Sequence, residues 1–361
     1  MTRALPDFPW DSLTEVARRA REYPGGVVDL SVGIPVDPVP DVARDALQAA
    51  SVLPGYPATH GTPELRHAVI GALERRYGVT GVPAEAVLPT VGSKELVAWL
   101  PTLLGLRPGD VVALPELAYP TYEVGACLAG VTTVRLADDE PAVPGTRLRW
   151  LNSPRNPTGE IAPAGVLTSA VRQARAIGAV VASDECYLAL GWEAQPVSVL
   201  HPQVSGGDHR GLLAVHSLSK SSNLAGYRAG FVTGDPDLVA ALLEVRKHAG
   251  MIVPWPVQQA MVAALSDDAH VTRQRDRYAR RRALLVPALE GAGLRVQRSQ
   301  GGLFLWCTAG EPCWDTVTRL AERGVLVAPG EFYGPAGARH VRVTLTATDE
   351  RISAAVHRLA S

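Results

Sequence analysis

Charge of one sign is the first thing this sequence lacks. Lysine and arginine number 35 against 36 aspartates and glutamates, a formal net of −1 at pH 7. Such a balance offers no basic surface for nucleic acid or for an anionic membrane, so neither partner is expected. Cysteine is scarce too: Cys127, Cys186, Cys307 and Cys313 are the four in 361 residues. Their spacing matches no zinc knuckle, so no metal centre is expected, and reduced thiols in a cytoplasmic protein are. No window comes near the roughly 18 unbroken apolar residues of a membrane-spanning helix. Pro6, Asp7 and Pro9 fall where a secretory signal needs an apolar stretch. What the chain does have is bulk: 47% of its residues are hydrophobic, enough for a large core. Its length suggests about two domains.

Through the middle of the chain, short β-rich runs alternate with amphipathic stretches. Strands are expected over residues 86–91, 111–114, 132–136, 148–152, 179–183, 212–216 and 229–233. Helices are expected between many of them, over 94–104, 121–129 and 163–177, then over 235–248, where Asp235-Pro236 opens the pattern and Gly250 closes it. A further helical tract runs to about residue 288. This alternation predicts an α/β fold whose large domain, residues 41–250, carries a mostly parallel seven-stranded sheet. Strand-like runs at 294–297, 303–306, 325–328 and 341–345 predict a smaller α+β domain over 251–361, completed by an N-terminal segment, residues 1–40. Ligands of such sheets collect beyond the carboxyl ends of the strands.

The chemistry gathers at those ends. Ser217-Leu218-Ser219-Lys220 follows the apolar run Leu212-Leu213-Ala214-Val215, and Arg228 stands eight positions on. A lysine that is buried and close to a cation has a depressed pKa and attacks an aldehyde readily. Ser217 and Arg228 are what a phosphate dianion needs. A lysine beside a phosphate cradle points to pyridoxal 5′-phosphate held as a Schiff base. Five further segments fit that cofactor, each with a plainer alternative. Gly92-Ser93-Lys94 opens a helix after a strand, an anion site through its free N–H groups or an ordinary turn. Tyr119 can stack on a pyridine ring or merely line a rim. Asn156, in Asn152-Ser153-Pro154-Arg155-Asn156-Pro157-Thr158-Gly159, can donate to a ring hydroxylate or build an Asn-Pro turn. Asp184 can pair a protonated pyridine nitrogen or cap a helix, and Tyr187 can reach the ring's phenolic oxygen. Glu185 reads as solvent-facing or supporting, and Cys186 as a small buried apolar residue. Arg342 interrupts an apolar strand and calls for an anion, either a substrate carboxylate or a structural partner. His216 reads as a packed histidine, His248 as a favourable charge at a helix end, and Trp99, Trp192 and Trp306 as core or interface.

In this order, Asn-Pro-Thr-Gly, Ser-Asp-Glu-Cys-Tyr and Ser-Leu-Ser-Lys resemble the class I/II aminotransferases, the aspartate-aminotransferase-like group of fold-type I pyridoxal-phosphate enzymes. The resemblance runs from Leu30-Ser31-Val32-Gly33 to Arg342. It implies that Lys220 carries the cofactor and shuttles the α-proton, that Asp184 pairs the ring nitrogen, and that Asn156 and Tyr187 bind the ring hydroxylate. It implies stacking by Tyr119, phosphate contacts from Gly92, Ser93, Lys94, Ser217 and Arg228, and a substrate site at Gly33, Asn156 and Arg342. Tyr56, in the loop before Gly61-Thr62-Pro63-Glu64-Leu65-Arg66, is implied to reach a partner subunit's phosphate, which calls for a homodimer with shared sites. Arg155 stands where a small polar residue is usual, and reads as a solvated loop charge or a contact for an acidic substrate. Lys94 reads as a phosphate contact or an exposed charge. Longer phrases, among them Asp29-Leu30-Ser31-Val32-Gly33 and Val325-Leu326-Val327-Ala328-Pro329-Gly330, are similar to actinobacterial succinyldiaminopimelate transaminases. That similarity implies amino transfer from glutamate, leaving 2-oxoglutarate, to N-succinyl-2-amino-6-oxopimelate, a step of lysine and diaminopimelate synthesis. The rival readings are an aminotransferase for another keto acid or a secondary-metabolite pathway, a C–S β-lyase, and a cofactor-binding sensor domain, which would need a DNA-binding extension.

Overall fold

A short strand β1 (Val28–Asp29) precedes seven strands that form one sheet: β2 (Val87–Val91), β3 (Val111–Pro115), β4 (Thr132–Leu136), β5 (Thr146–Asn152), β6 (Val180–Asp184), β7 (Leu212–Ser217) and β8 (Ala229–Gly234). The structure is a computed structural model and describes residues 5–360. The sheet order is β2-β8-β7-β6-β5-β3-β4. Only β8 runs antiparallel to its neighbours, so the expected mostly parallel sheet is present. A parallel sheet must be covered on both faces, and its central strands β5, β6 and β7 are accordingly buried along nearly their whole length. In β7, Leu212 and Ala214 enter one core while Leu213 and Val215 enter the other, the two-residue period of a strand. Helices Pro63–Tyr77, Ala164–Ala176 and Trp255–Ser266 cover the first face; Ser93–Leu103, Thr121–Ala129 and Pro236–Ala249 cover the second.

Local chemistry sets where these helices start and stop. Thr62 accepts a hydrogen bond from Leu65 N at 3.1 Å with Pro63 in the first turn, and Gly78 ends the helix in the left-handed region. Asp235 does the same for Pro236–Ala249, with Pro236 in the first turn and Gly250 as the stop. The tract expected to run unbroken to about residue 288 is two helices, Trp255–Ser266 and Ala269–Gly291. Asp267 breaks it by accepting from the backbone N–H groups of Ala269 and His270, an alternative to helical bonding.

The C-terminal strands are β9 (Arg295–Gln297), β10 (Phe304–Thr308), β11 (Val325–Leu326), β12 (Ala328–Pro329) and β13 (Val341–Thr344). They form an antiparallel sheet β12-β13-β10-β9, while β11 pairs in parallel with β1. The single strand expected over 325–328 is therefore two, because each half answers to a different partner. The pairing with β1 draws Leu13, Ala17, Val28 and Leu30 into the C-terminal core. Among the described residues no helix is long and apolar enough to cross a membrane.

Candidate active site

The carboxyl ends of β3, β5, β6 and β7 open into a cavity of about 820 Å³, closed from the other side by Gly33, Phe304, Arg342 and the N-terminal residues Phe8 and Trp10. Lys220 stands in this cavity on the short helix Leu218–Ser221, whose first turn is capped by Ser217 accepting from Ser219 N at 3.1 Å. Its Nζ donates to the Gly33 carbonyl. Burial lowers the Lys220 pKa to about 8, and the Arg342 and Arg228 guanidiniums push it the same way.

Asp184 ends β6 and is buried. Its Oδ2 accepts from the Tyr122 hydroxyl at 2.9 Å and its Oδ1 from Cys186 N at 3.3 Å. Burial pushes its pKa up, and those two hydrogen bonds hold part of the rise back. No helix follows Asp184, so the capping alternative falls away and a buried carboxylate faces the cavity. Asn152 locks the neighbouring turn: its Nδ2 donates to the Asp184 carbonyl at 2.8 Å, and its Oδ1 accepts from Asn156 N at 2.7 Å. Asn156 Oδ1 is in turn occupied by Arg342 Nη1 at 2.8 Å, which leaves its Nδ2 as the donor. Tyr119 lies edge-on to Tyr122, and Tyr187 edge-on to Phe304, with both tyrosines on the cavity wall. Burial raises the pKa of each phenol, so both stay protonated and can donate.

At one end of the cavity, Gly92 precedes the helix Ser93–Leu103 with φ of 75° and ψ of 161°, a conformation essentially reserved for glycine. A Cβ there would sit 2.3 Å from Arg228 Nη2. The helix N-terminus, Ser217, Ser219 and the Arg228 guanidinium thus form a cradle suited to an anion. At the other end Arg342 is 3% exposed, with its guanidinium 4.2 Å from the Phe304 ring centre. Nη2 donates to the Ser31 carbonyl at 2.6 Å, while Nε is buried with no partner. No carboxylate of the described residues pairs with it, which leaves a buried cation facing the cavity and suited to an anion there. Lysine, buried carboxylate, phenols, amide donor and anion cradle together fit a phosphorylated pyridine aldehyde, with Arg342 left over for a second anion.

The family of class I and II aminotransferases matches residues 25–359. The chain belongs to that family. It is a pyridoxal-phosphate-dependent aminotransferase of fold type I. It is 62% identical to a probable aminotransferase of Mycobacterium tuberculosis, over 99% of this chain and 86% of that protein. It is 59% identical to the 4-dedimethylamino-4-oxo-anhydrotetracycline transaminase of Streptomyces rimosus, over 99% of both. Among solved structures, a probable N-succinyldiaminopimelate aminotransferase of Thermus thermophilus superposes with a TM-score of 0.87 at 31% identity, covering 98% of this chain and 99% of that one.

The aminotransferase brings Gly33, Ser93, Lys94, Tyr119, Asn156, Asp184, Tyr187, Ser217, Lys220, Arg228 and Arg342 to one cavity, with Gly92 against Arg228. It does not bring Tyr56 there: that side chain is 95% exposed, away from its own chain's cavity. Lys94 is exposed, and its ammonium lies 5.8 Å from the Phe8 ring centre. One reading needs correction and two are sharpened. Arg155 is not a solvated loop charge; its side chain is 11% exposed, pairs with Asp138 and Glu160 and does not line the cavity. Glu185 is buried, accepts from Val199 N at 2.7 Å and lies 3.4 Å from His216 Nε2. Cys186 packs against the C-terminal core as a small apolar residue would, half-buried, and also lines the cavity wall beside Asp184. Tyr122 and Asn152 escaped notice, although Tyr122 lies one helical turn from Tyr119 and Asn152 four residues before Asn156. Phe8 and Trp10 carried no sequence signal at all.

Proposed function

We propose that this aminotransferase moves an amino group from glutamate to N-succinyl-2-amino-6-oxopimelate, giving N-succinyl-LL-2,6-diaminopimelate, with Lys220, Asp184 and Arg342 as its central residues. The observation that carries the reading is that Lys220 and a buried Arg342 with no carboxylate partner among the described residues share one large cavity. The Thermus structure supports this choice of acceptor. Bound pyridoxal phosphate supplies an aldehyde and an electron-withdrawing ring. Lys220 Nζ, eased toward its neutral form, holds the cofactor and then takes the proton from the substrate's Cα and returns it. Asp184 holds a proton at the ring nitrogen, and Tyr122 and Asn152 fix its orientation. Asn156 Nδ2 and the Tyr187 hydroxyl would donate to the ring oxygen, and Tyr119 would offer its face to the ring. The Ser93 backbone, Ser217 and Arg228 grip the phosphate. Arg342 binds the substrate's α-carboxylate, and Phe304 and Tyr333 keep water from its guanidinium.

We also propose a cytoplasmic homodimer in which Tyr56 completes the partner's phosphate site. Its near-complete exposure supports this, since a polar-tipped aromatic that far from solvent-shielded neighbours is available to a second chain. The two-domain division stands in this proposal with its second boundary moved from about 250 into the helix Ala269–Gly291. Helix Trp255–Ser266 packs in the same core as β2 and β7, which argues for the move.

A panel of acceptors with glutamate as donor tests the substrate. The succinylated oxopimelate should give the highest kcat/KM. A second reading, a ring ketone of a polyketide pathway, is favoured by the full-length likeness to the tetracycline transaminase and by the aromatic rim of Phe8, Trp10 and Phe332. Preference for such a ketone would replace the first reading. Pyruvate release from cystathionine without any keto acid would point instead to a lyase.

A further inference from the structure

Residues 30–37 form a strap across the front of Lys220 and Arg342, held by backbone pairing at its start, by hydrogen bonds to its carbonyls and by a buried ion pair at its far end. At its start, Leu30 N donates to the Leu326 carbonyl and Thr344 N to the Leu30 carbonyl. Beyond that point Val32, Ile34 and Val36 are all exposed, so apolar burial contributes little to its hold. Its carbonyls nevertheless do specific work: Ser31 O accepts from Arg342 Nη2 at 2.6 Å, Val32 O from Thr346 at 3.2 Å, and Gly33 O from Lys220 Nζ. A segment with so little packing cannot aim two cations unless its far end is also fixed.

Beside a Pro38 carbonyl that accepts from Asn223 Nδ2 at 3.2 Å, and with Arg277 Nη1 3.5 Å away, Asp37 is the charged part of that fixture. Its side chain is 8% exposed and receives Arg281 on both oxygens, Nη2 at 2.6 Å and Nη1 at 2.8 Å. Gln274 Nε2 donates to the same carboxylate at 2.8 Å. Gln274 Oε1 in turn accepts from Asn223 Nδ2 at 3.0 Å, and Asn223 follows the helix that carries Lys220. Arg281 also reaches Asp349 at 2.7 Å and the Leu345 carbonyl, close to β13 and Arg342. One buried ion pair therefore joins the strap, the Lys220 helix and the Arg342 strand to the long helix Ala269–Gly291.

We propose that Asp37 is a positioning residue of the active site: its pair with Arg281 fixes the strap, and the strap's carbonyls set the orientation of Arg342 and Lys220. The inference rests on the roles assigned above to those two cations. Bidentate Arg–carboxylate pairs carry geometric specificity as well as energy, and a buried one is well suited to registration.

The test uses Asp37→Asn, the double variant Asp37→Asn/Arg281→Met and Asp37→Glu, each as loaded enzyme and as apo-protein. Glutarate, an amine-free analogue of glutamate, serves as the binding probe. Losing one restraining hydrogen bond per cation should raise the glutarate Kd and the glutamate KM by about fivefold, with a smaller change in kcat. In the apo-protein, removing the carbonyl that accepts from the Lys220 ammonium should lower the pH midpoint for pyridoxal-phosphate capture by about half a unit. Asp37→Glu should recover part of both effects. The double variant removes both charges, and so stays measurable if the single variant is too unstable to fold. The inference is overturned if folded variants match the wild-type constants and midpoint, or if the double variant regains wild-type values along with stability. Arg342→Gln, measured in parallel, separates the two levels. An unchanged glutarate Kd there sinks the site assignment, whereas a large rise with silent Asp37 variants sinks the strap alone.

Discussion

Lys220 stands where burial and two guanidiniums disfavour its charge, and its pKa falls from the usual 10.5 to about 8. The neutral amine is the nucleophile, so capture of pyridoxal phosphate by the apo-protein should speed up as pH rises through about 8 and then level off. Stopped-flow absorbance against pH reads this directly; a rate still climbing beyond pH 10 would mean an unperturbed lysine. Behind the cavity, Glu185 and His216 form a buried pair of the opposite kind. Burial raises Glu185 to about 7 and lowers His216 to about 3, so at 3.4 Å they meet as neutral groups below neutrality, not as an ion pair. The folded protein keeps the Glu185 proton that the unfolded chain releases above pH 4.5. That contribution to stability is present at low pH and lost as pH rises through about 7. Glu185→Gln should therefore gain on the wild type between pH 5 and pH 8, by roughly 2–3 kcal/mol in urea unfolding. Neither this pair nor the Arg155–Asp138 contact was legible in the sequence. Their partners lie 31 and 17 positions apart, and no motif marks either pair. The first is brought together by the β6–β7 register and the second by loops after β4 and β5, which do not pair with each other. Lys220, Asp184 and Asn156 were legible as candidates because each sits inside a short segment whose neighbours also line the cavity or fix its turns.

The turn between β2 and the helix Ser93–Leu103 shows how an element can serve chemistry at the expense of ordinary backbone. Gly92 takes a conformation that a side chain resists, and it does so with Arg228 packed against the vacant Cβ position. Arg228 itself is left-handed at φ 57°, so two unusual backbones face each other at the anion cradle. Gly92→Ala should weaken cofactor binding by about ten- to a hundredfold, from strain of about 1–3 kcal/mol, with little change in thermal unfolding of the apo-protein. Fluorescence titration with pyridoxal phosphate checks it; wild-type affinity would show that Arg228 swings clear at no cost. At this scale the sequence was informative about existence and poor about ends. All seven strands of the large sheet lie where alternation put them, yet Asp184 and Ser217 prove to be the last residues of β6 and β7. Strand alternation registers buried apolar side chains, and a buried polar residue at a strand's end breaks that pattern before the backbone pairing stops.

The whole molecule joins a mostly parallel sheet that carries the proposed cofactor groups to an antiparallel one that carries Arg342. The antiparallel course of β8 and the pairing of β1 with β11 were beyond sequence patterning, because strand order depends on which faces the helices leave open. Beyond it too was the N-terminal segment's descent onto the cavity, where Trp10 packs against Phe332 at 5.3 Å. The one candidate residue outside the cavity, Tyr56, turns the question to assembly. If each site borrows this tyrosine from a partner in a two-fold dimer, a Lys220→Ala chain still offers a good Tyr56, and a Tyr56→Ala chain still offers a good Lys220. Unfolding and refolding an equal mixture would place both kinds in about half of the dimers. One of the two sites in each hybrid would be intact, so the mixture should recover about a quarter of wild-type turnover from parents that are each impaired. Sedimentation of the same samples reports the dimer independently. Activity of the mixture no greater than the mean of its parents, in a preparation shown to be dimeric, would confine each site to a single chain.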